Sequence, residues 1–244
     1  MSGDSIFLTL TYAPEHLPEY GALRKDHVQK FIRALRDSGV KCRYYAAGEY
    51  GEQLSRPHYH LLLFGYWPED TVPLKKQKGY QYYWSQRLHK LWGKGAIDFS
   101  AVTRSNCEYV ARYVMKKIVG KDQQAYDHYE RIAPDGAIYY LPPEFAVMSR
   151  RPGIGTAWIE EFWEETYHSD SIVLDGREKP VPQFYDKWLA KHHPDEWEEV
   201  RQKRVEFAKQ EHVWDNRTPA RLAVRESVAK ARNNQRTRSY EEAK

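Results

Sequence analysis

Cysteine is nearly missing from this chain. Cys42 and Cys107 are the only two among 244 residues, too few for a disulfide framework, and neither sits in a Cys-x-x-Cys or zinc-finger spacing. A reduced, cytoplasmic setting fits that usage. No apolar run approaches 18 residues and the mean hydropathy is -0.84, which argues against a membrane-embedded helix. The first residues, Met-Ser-Gly-Asp, carry no basic segment followed by a long apolar stretch and a cleavage site, so secretion is not expected. Charge of one sign is scarce as well: the net charge of +4 gives no strong argument for a polyanionic partner. A G-x-x-x-x-G-K-[ST] loop is also missing from the sequence, which leaves it without the usual ATP-driven motor signature.

What the chain does have is unevenly distributed. Basic residues gather in three places: Arg24 to Arg43, the pair Arg150 and Arg151, and the tail from Arg217 onward. Aromatic residues include 19 Tyr and 8 Trp, which suits stacking on unpaired bases and equally suits a large aromatic core.

Short apolar runs alternate with helical patterns in the order βαββαβα. Ile6 to Tyr12 alternates with period two and predicts a strand. Val28, Phe31, Ile32 and Leu35 fall at i, i+3, i+4 and i+7, predicting a helix over Lys25 to Arg36 that Gly39 stops. Further strands are expected at Cys42 to Glu49, His58 to Phe64 and Ala96 to Val102. The stretch from Gly65 to Gly79 reads as a loop, followed by a helix over Trp84 to Trp92 ending at Gly93 and Gly95. The next helix is opened by a Ser105 and Glu108 capping box and runs toward Val119. This order predicts an α+β fold, a ferredoxin-like or RRM-like antiparallel sheet in residues 1–150, with helices on one face and the other left for a ligand or another helix. A helical extension follows over 151–216, packed on or beside that sheet, with helices at Ala157 to Tyr167 and Pro194 to Val213. Between them come a hairpin at Asp175-Gly176 and a short helix near Phe184 to Leu189. Residues 217–244 form a polar, basic tail that is either disordered or folds on a partner.

Two motifs carry chemistry. In Arg56-Pro57-His58-Tyr59-His60-Leu61-Leu62-Leu63-Phe64, the strand period puts the imidazoles of His58 and His60 on one face. Two such nitrogens can hold a divalent metal with a carboxylate from the preceding strand, Glu49 first and Glu52 second; they would serve equally as hydrogen-bonded residues of a half-buried sheet. In Glu108-Tyr109-Val110-Ala111-Arg112-Tyr113-Val114-Met115-Lys116-Lys117, helical spacing puts Tyr109, Tyr113 and Lys116 on one stripe. Both phenols can face one site, with Arg112 and Lys116 the nearest cations, or they can simply pad the sheet.

Together with Phe7-Leu8-Thr9-Leu10-Thr11-Tyr12, these segments resemble the three ordered motifs of HUH endonucleases. More narrowly they are similar to the rolling-circle replication initiators of microviruses, small phages with circular single-stranded DNA. Met148 to Gly155 and Pro182 to Lys187 look like the same group, so the resemblance spans roughly residues 5 to 190, with the tail outside it. It implies an HUH endonuclease fold in which His58, His60 and Glu49 bind Mg²⁺ or Mn²⁺. Tyr109 and Tyr113 would be the nucleophiles and Lys116 an electrostatic helper or general acid, while Arg112, Lys117, Arg150 and Arg151 would contact DNA. The implied activity is nicking and rejoining of single-stranded origin DNA through a 5′-phosphotyrosine adduct, in the cytoplasm of a bacterial host and with the host's polymerase and helicase as partners. The competing expectations are a non-catalytic RRM-like nucleic-acid-binding module and another HUH enzyme, a relaxase or transposase.

Overall fold

A computed structural model of the chain describes residues 4–51, 55–77, 79–116, 129–133 and 136–235, with the side chains of 112–116 and 233–235 outside the description. The chain divides into two compact units, Met1–Ile154 and Gly155–Lys244.

The first unit is built on a seven-stranded sheet. The alternating run at the start becomes β1 (Ser5–Thr11), and the amphipathic segment after it becomes α1 (Lys25–Asp37), whose Val28, Phe31, Ile32 and Leu35 are all buried. Strands β2 (Arg43–Tyr50) and β3 (Pro57–Phe64) follow, then β4 (Thr71–Gln77), β5 (Tyr80–Ser85), α2 (Gln86–Trp92), β6 (Ile97–Ala101) and α3 (Arg104–Lys116). After two short paired strands, β7 (Glu130–Ile132) and β8 (Ile138–Tyr140), β9 (Phe145–Met148) returns to the sheet. The strand order is β4-β5-β6-β1-β3-β2-β9, and every pairing is antiparallel. Its centre, β6-β1-β3-β2 with α1 and α2 as the crossovers, is the ferredoxin-like arrangement that the sequence predicts.

The two faces of that sheet differ. Ile6, Leu8 and Leu10 of β1 with Tyr59, Leu61 and Leu63 of β3 share one core with α1 and α2. Phe7, Ala47 and Leu62 point the other way and pack against Val110 of α3. The period of two therefore assigns His58 and His60 to the α3 face, opposite the main core.

Three sequence expectations need correction. The loop expected over Gly65 to Gly79 contains β4, which pairs with β5 as an added hairpin at the sheet edge. Pro73 and Lys75 suggested a loop, yet an edge strand has one side free of pairing and tolerates proline, lysine and a bulge, which here falls between Pro73 and Lys75. The helix expected from Trp84 begins at Gln86, because Ser85 is its cap and accepts a hydrogen bond from the Leu88 amide at 3.1 Å. The cap of α3 is Thr103 with Asn106, not Ser105 with Glu108. Asn106 N donates to Thr103 Oγ1 (3.2 Å), Thr103 N donates to Asn106 Oδ1 (2.9 Å), and Glu108 instead pairs with Arg104 across one turn. Val119, the expected end of α3, lies outside the described residues.

In the second unit, Thr156–Ser169 is helical, Ser171–Leu174 and Arg177–Pro180 pair as the expected hairpin around Asp175 and Gly176, and helices cover Gln183–His192 and Pro194–Lys209. Asp175 and Gly176 both adopt positive φ, 53° and 70°, as a tight hairpin turn demands. Ile159, Tyr167, Val181, Leu189 and Val200 make its core. Arg204 braces it by donating to Asp170 (2.6 and 2.8 Å) and Asp186 (2.9 and 3.0 Å). Part of the tail is helical, Pro219–Gln235, and from Pro219 to Arg232 it is exposed throughout; residues 236–244 lie outside the described ones.

Candidate active site

Cross-strand register builds the site. Glu49 of β2 stands opposite His58 of β3, and His60 stands opposite Thr9 of β1, which in turn faces Asp98 of β6. Residues directly opposite in an antiparallel pair share a face, so one row of side chains crosses four strands. Glu49 Oε1 contacts His58 Nε2 closely and His60 Nε2 at 3.1 Å, and the three donor atoms all lie within 4.8 Å of one another.

The outer nitrogens of both imidazoles are committed elsewhere. His58 Nδ1 donates to the Arg56 carbonyl at 3.2 Å. His60 Nδ1 lies 3.3 Å from Thr9 Oγ1, and Thr9 is hydrogen-bonded to Asp98. Since a carboxylate can only accept, the Thr9 hydroxyl donates to Asp98 and accepts from His60. Both Nε2 lone pairs are thereby turned toward Glu49, and three electron-pair donors facing one another call for a positive charge between them. That donor set fits a divalent cation, with positions left over for substrate oxygens. Burial pushes the Glu49 carboxyl up, but its bonds with the two histidines outweigh this and hold it at about 2. Burial lowers the pKa of His60, keeping its ring neutral and ready to ligate near neutral pH. The Asp98 carboxyl is raised by burial, offset in part by Lys75 at 3.9 Å.

The tyrosine helix reaches the same spot. The ring of Tyr109 meets His60 edge-on, 5.4 Å between centroids, and Phe7 at 6.3 Å, while Phe7 stacks on the other imidazole surface at 5.3 Å. Arg112, Tyr113 and Lys116 belong to α3, but their side chains lie outside the described residues, as do Lys117 and Glu52 altogether. Arg150 and Arg151 are not at the triad: they line a cleft beside Arg43 and Phe64, at the far end of β2 and β3. Sequence reasoning missed Thr9 and Asp98. Thr9 lay in a quoted motif on the correct face, and Asp98 is the one charged residue of its strand; only the register of three strands brings them together.

Residues 5–118 match the family model of the replication-associated protein ORF2. Over 209 residues the chain is 33% identical to replication-associated protein VP4 of Bdellovibrio phage phiMH2K, covering 82% of this chain and 62% of that protein. It is 32% identical over 220 residues to replication-associated protein ORF2 of Spiroplasma virus 4 (83% and 64%) and 37% identical over 195 residues to replication-associated protein ORF4 of Chlamydia phage 1 (75% and 45%). The chain thus spans less than two thirds of the length of each of these relatives. No solved structure gives a significant match.

Proposed function

The chain is a relative of the replication-associated proteins of microviruses, and from that premise we propose that it initiates rolling-circle replication by nicking single-stranded origin DNA with a tyrosine. The observation that carries this reading is the ring of Tyr109 lying against His60, a member of a three-donor site. A sheet that only bound nucleic acid would have no use for two imidazoles and a carboxylate aimed at one point. Glu49, His58 and His60 would hold Mg²⁺ or Mn²⁺, which when bound supplies Lewis-acid charge for the scissile phosphate oxygens.

The Tyr109 phenol oxygen attacks phosphorus in line, the bond from phosphorus to the 3′ oxygen breaks, and the phenol proton is lost as the leaving 3′ oxygen gains one. The products are a 5′-phosphotyrosine and a free 3′ hydroxyl. A free phenol has a pKa of about 10 and is a weak nucleophile at neutral pH, so orientation must supply much of the acceleration. Tyr113 sits one helical turn along, about 6 Å, and would serve as the second nucleophile that closes the circle, with Lys116 as electrostatic helper and Arg112 and Lys117 on the DNA backbone. One phosphodiester is exchanged for another, so no ATP is consumed; a host polymerase extends the 3′ end and a host helicase opens the duplex.

The test is adduct formation on labelled origin oligonucleotides with Mg²⁺ or Mn²⁺, followed by mapping of the modified peptide. Tyr109→Phe and Tyr113→Phe should each retain some adduct and the double variant none. An adduct from the double variant, or none from the wild type with either metal, overturns the reading.

A further inference from the structure

A second concentration of charge lies at the opposite end of β3. Glu49 stands opposite His58, whereas Arg43 stands opposite Phe64, six residues along β3. At about 3.3 Å per residue the two places are about 20 Å apart. Here an open cleft of about 1080 Å³ is lined by Arg36 and Lys41 at the end of α1 and just beyond it, Arg43 of β2, and Arg150 and Arg151 after β9. These cations come from two basic clusters more than a hundred positions apart in sequence, gathered by the pairing of β2 with β9. No carboxylate lines the cleft, and among the described residues none of the five is within ion-pair distance of one. The arrangement is also rigid. The buried Ser149 accepts from the Tyr44 amide through Oγ (3.1 Å) and donates its own amide to the Tyr44 carbonyl (2.9 Å), which fixes Arg150 and Arg151 beside β2. Arg36 lies over the Tyr44 ring at 5.4 Å.

We propose that this cleft is a second DNA site, anchoring the phosphodiester backbone of the origin strand at a distance from the nick. The proposal rests on the nicking reading above. Five cations spread around an open cleft suit a run of phosphates better than one small anion, and Tyr44 and Phe64 in the lining offer ring surface for an unpaired base. The separation sets a length: about 20 Å corresponds to about six stacked nucleotides at 3.4 Å each, and to fewer if the strand is stretched.

The experiment measures the affinity and salt dependence of the full chain for nested fluorescent oligonucleotides that extend to increasing lengths on either side of the mapped nick. Wild type should gain affinity in a step once one flank reaches about six nucleotides. The Lys41→Gln, Arg43→Gln double variant should lose that step and shallow the salt slope by about 1.4, from two single-strand phosphate contacts. A Lys41→Arg, Arg43→Lys double variant should keep both and so serves as the folding control. An unchanged step and slope in the Gln variant overturns the proposal. So does inorganic phosphate that binds the cleft while DNA affinity stays independent of length, which marks a small-anion site. Adduct formation on the same oligonucleotides scores the nicking reading separately: an adduct without a length step sinks the cleft alone, and a step without an adduct sinks the nicking alone.

Discussion

Thr9 matters at the scale of single residues because its hydroxyl is the link between His60 and Asp98. Removing it frees the imidazole to rotate or change tautomer, and outer contacts of this kind are worth about 10- to 100-fold in metal affinity. Thr9→Val should therefore weaken Mn²⁺ binding, read by calorimetry on the uncleaved protein, by about tenfold or more, while Thr9→Ser restores it. Equal affinity in Thr9→Val would show that His60 needs no such orientation. Glu49 gives a pH prediction. Its folded pKa of about 2 lies below the ordinary carboxylate value, so the stability it contributes is present above pH 4.5 and is lost as pH falls toward 2. In metal-free protein, Glu49→Gln should be less stable than wild type at about pH 6, and the gap should narrow through that acid range; a gap independent of pH between about 6 and 3 would mean the carboxylate's charge is not what the histidines stabilise.

At the scale of elements, α3 carries Tyr109 to the metal ligands, and its start is fixed by the reciprocal Thr103 and Asn106 bonds. The sequence offers two overlapping cap patterns two residues apart. Only the folded chain decides between them, since Ser105 already lies inside the helix and Glu108 is taken by Arg104. Thr103→Ala should cost about 1 kcal/mol, a fall of about 2–4 °C in thermal midpoint for a chain of this size, whereas Ser105→Ala should be close to neutral. A larger loss at Ser105 would restore the other cap. The β4–β5 hairpin was illegible for a related reason: strand propensity records burial and packing, and an edge strand with exposed Lys75 and Lys76 has little of either.

The whole molecule adds the tail. Residues 217–244 hold eight Lys and Arg against three Asp and Glu, and the helix Pro219–Gln235 shows no buried residue from Pro219 to Arg232. A helix with so little packing contributes little to stability, so its charge is left to act on a polyanion. Truncation after Asn216 should leave the thermal midpoint unchanged while lowering sequence-independent DNA affinity and shallowing its salt dependence. An unchanged salt slope would assign the tail another purpose.

The order of the central elements, the face shared by His58 and His60, and the stripe holding Tyr109 could all be read from the chain alone, because periods of 2.0 and 3.6 are local properties of the backbone. A place at the end of the neighbouring strand likewise ranked Glu49 above Glu52 as the carboxylate. The rest waited on the folded molecule. Strand register set Glu49 opposite His58 and Asp98 behind Thr9, and the return of β9 to the sheet carried Arg150 and Arg151 away from the triad to join Arg36, Lys41 and Arg43. Register and long-range pairing depend on contacts between residues far apart in the chain, and no local pattern records which distant strand will arrive or how it will be aligned.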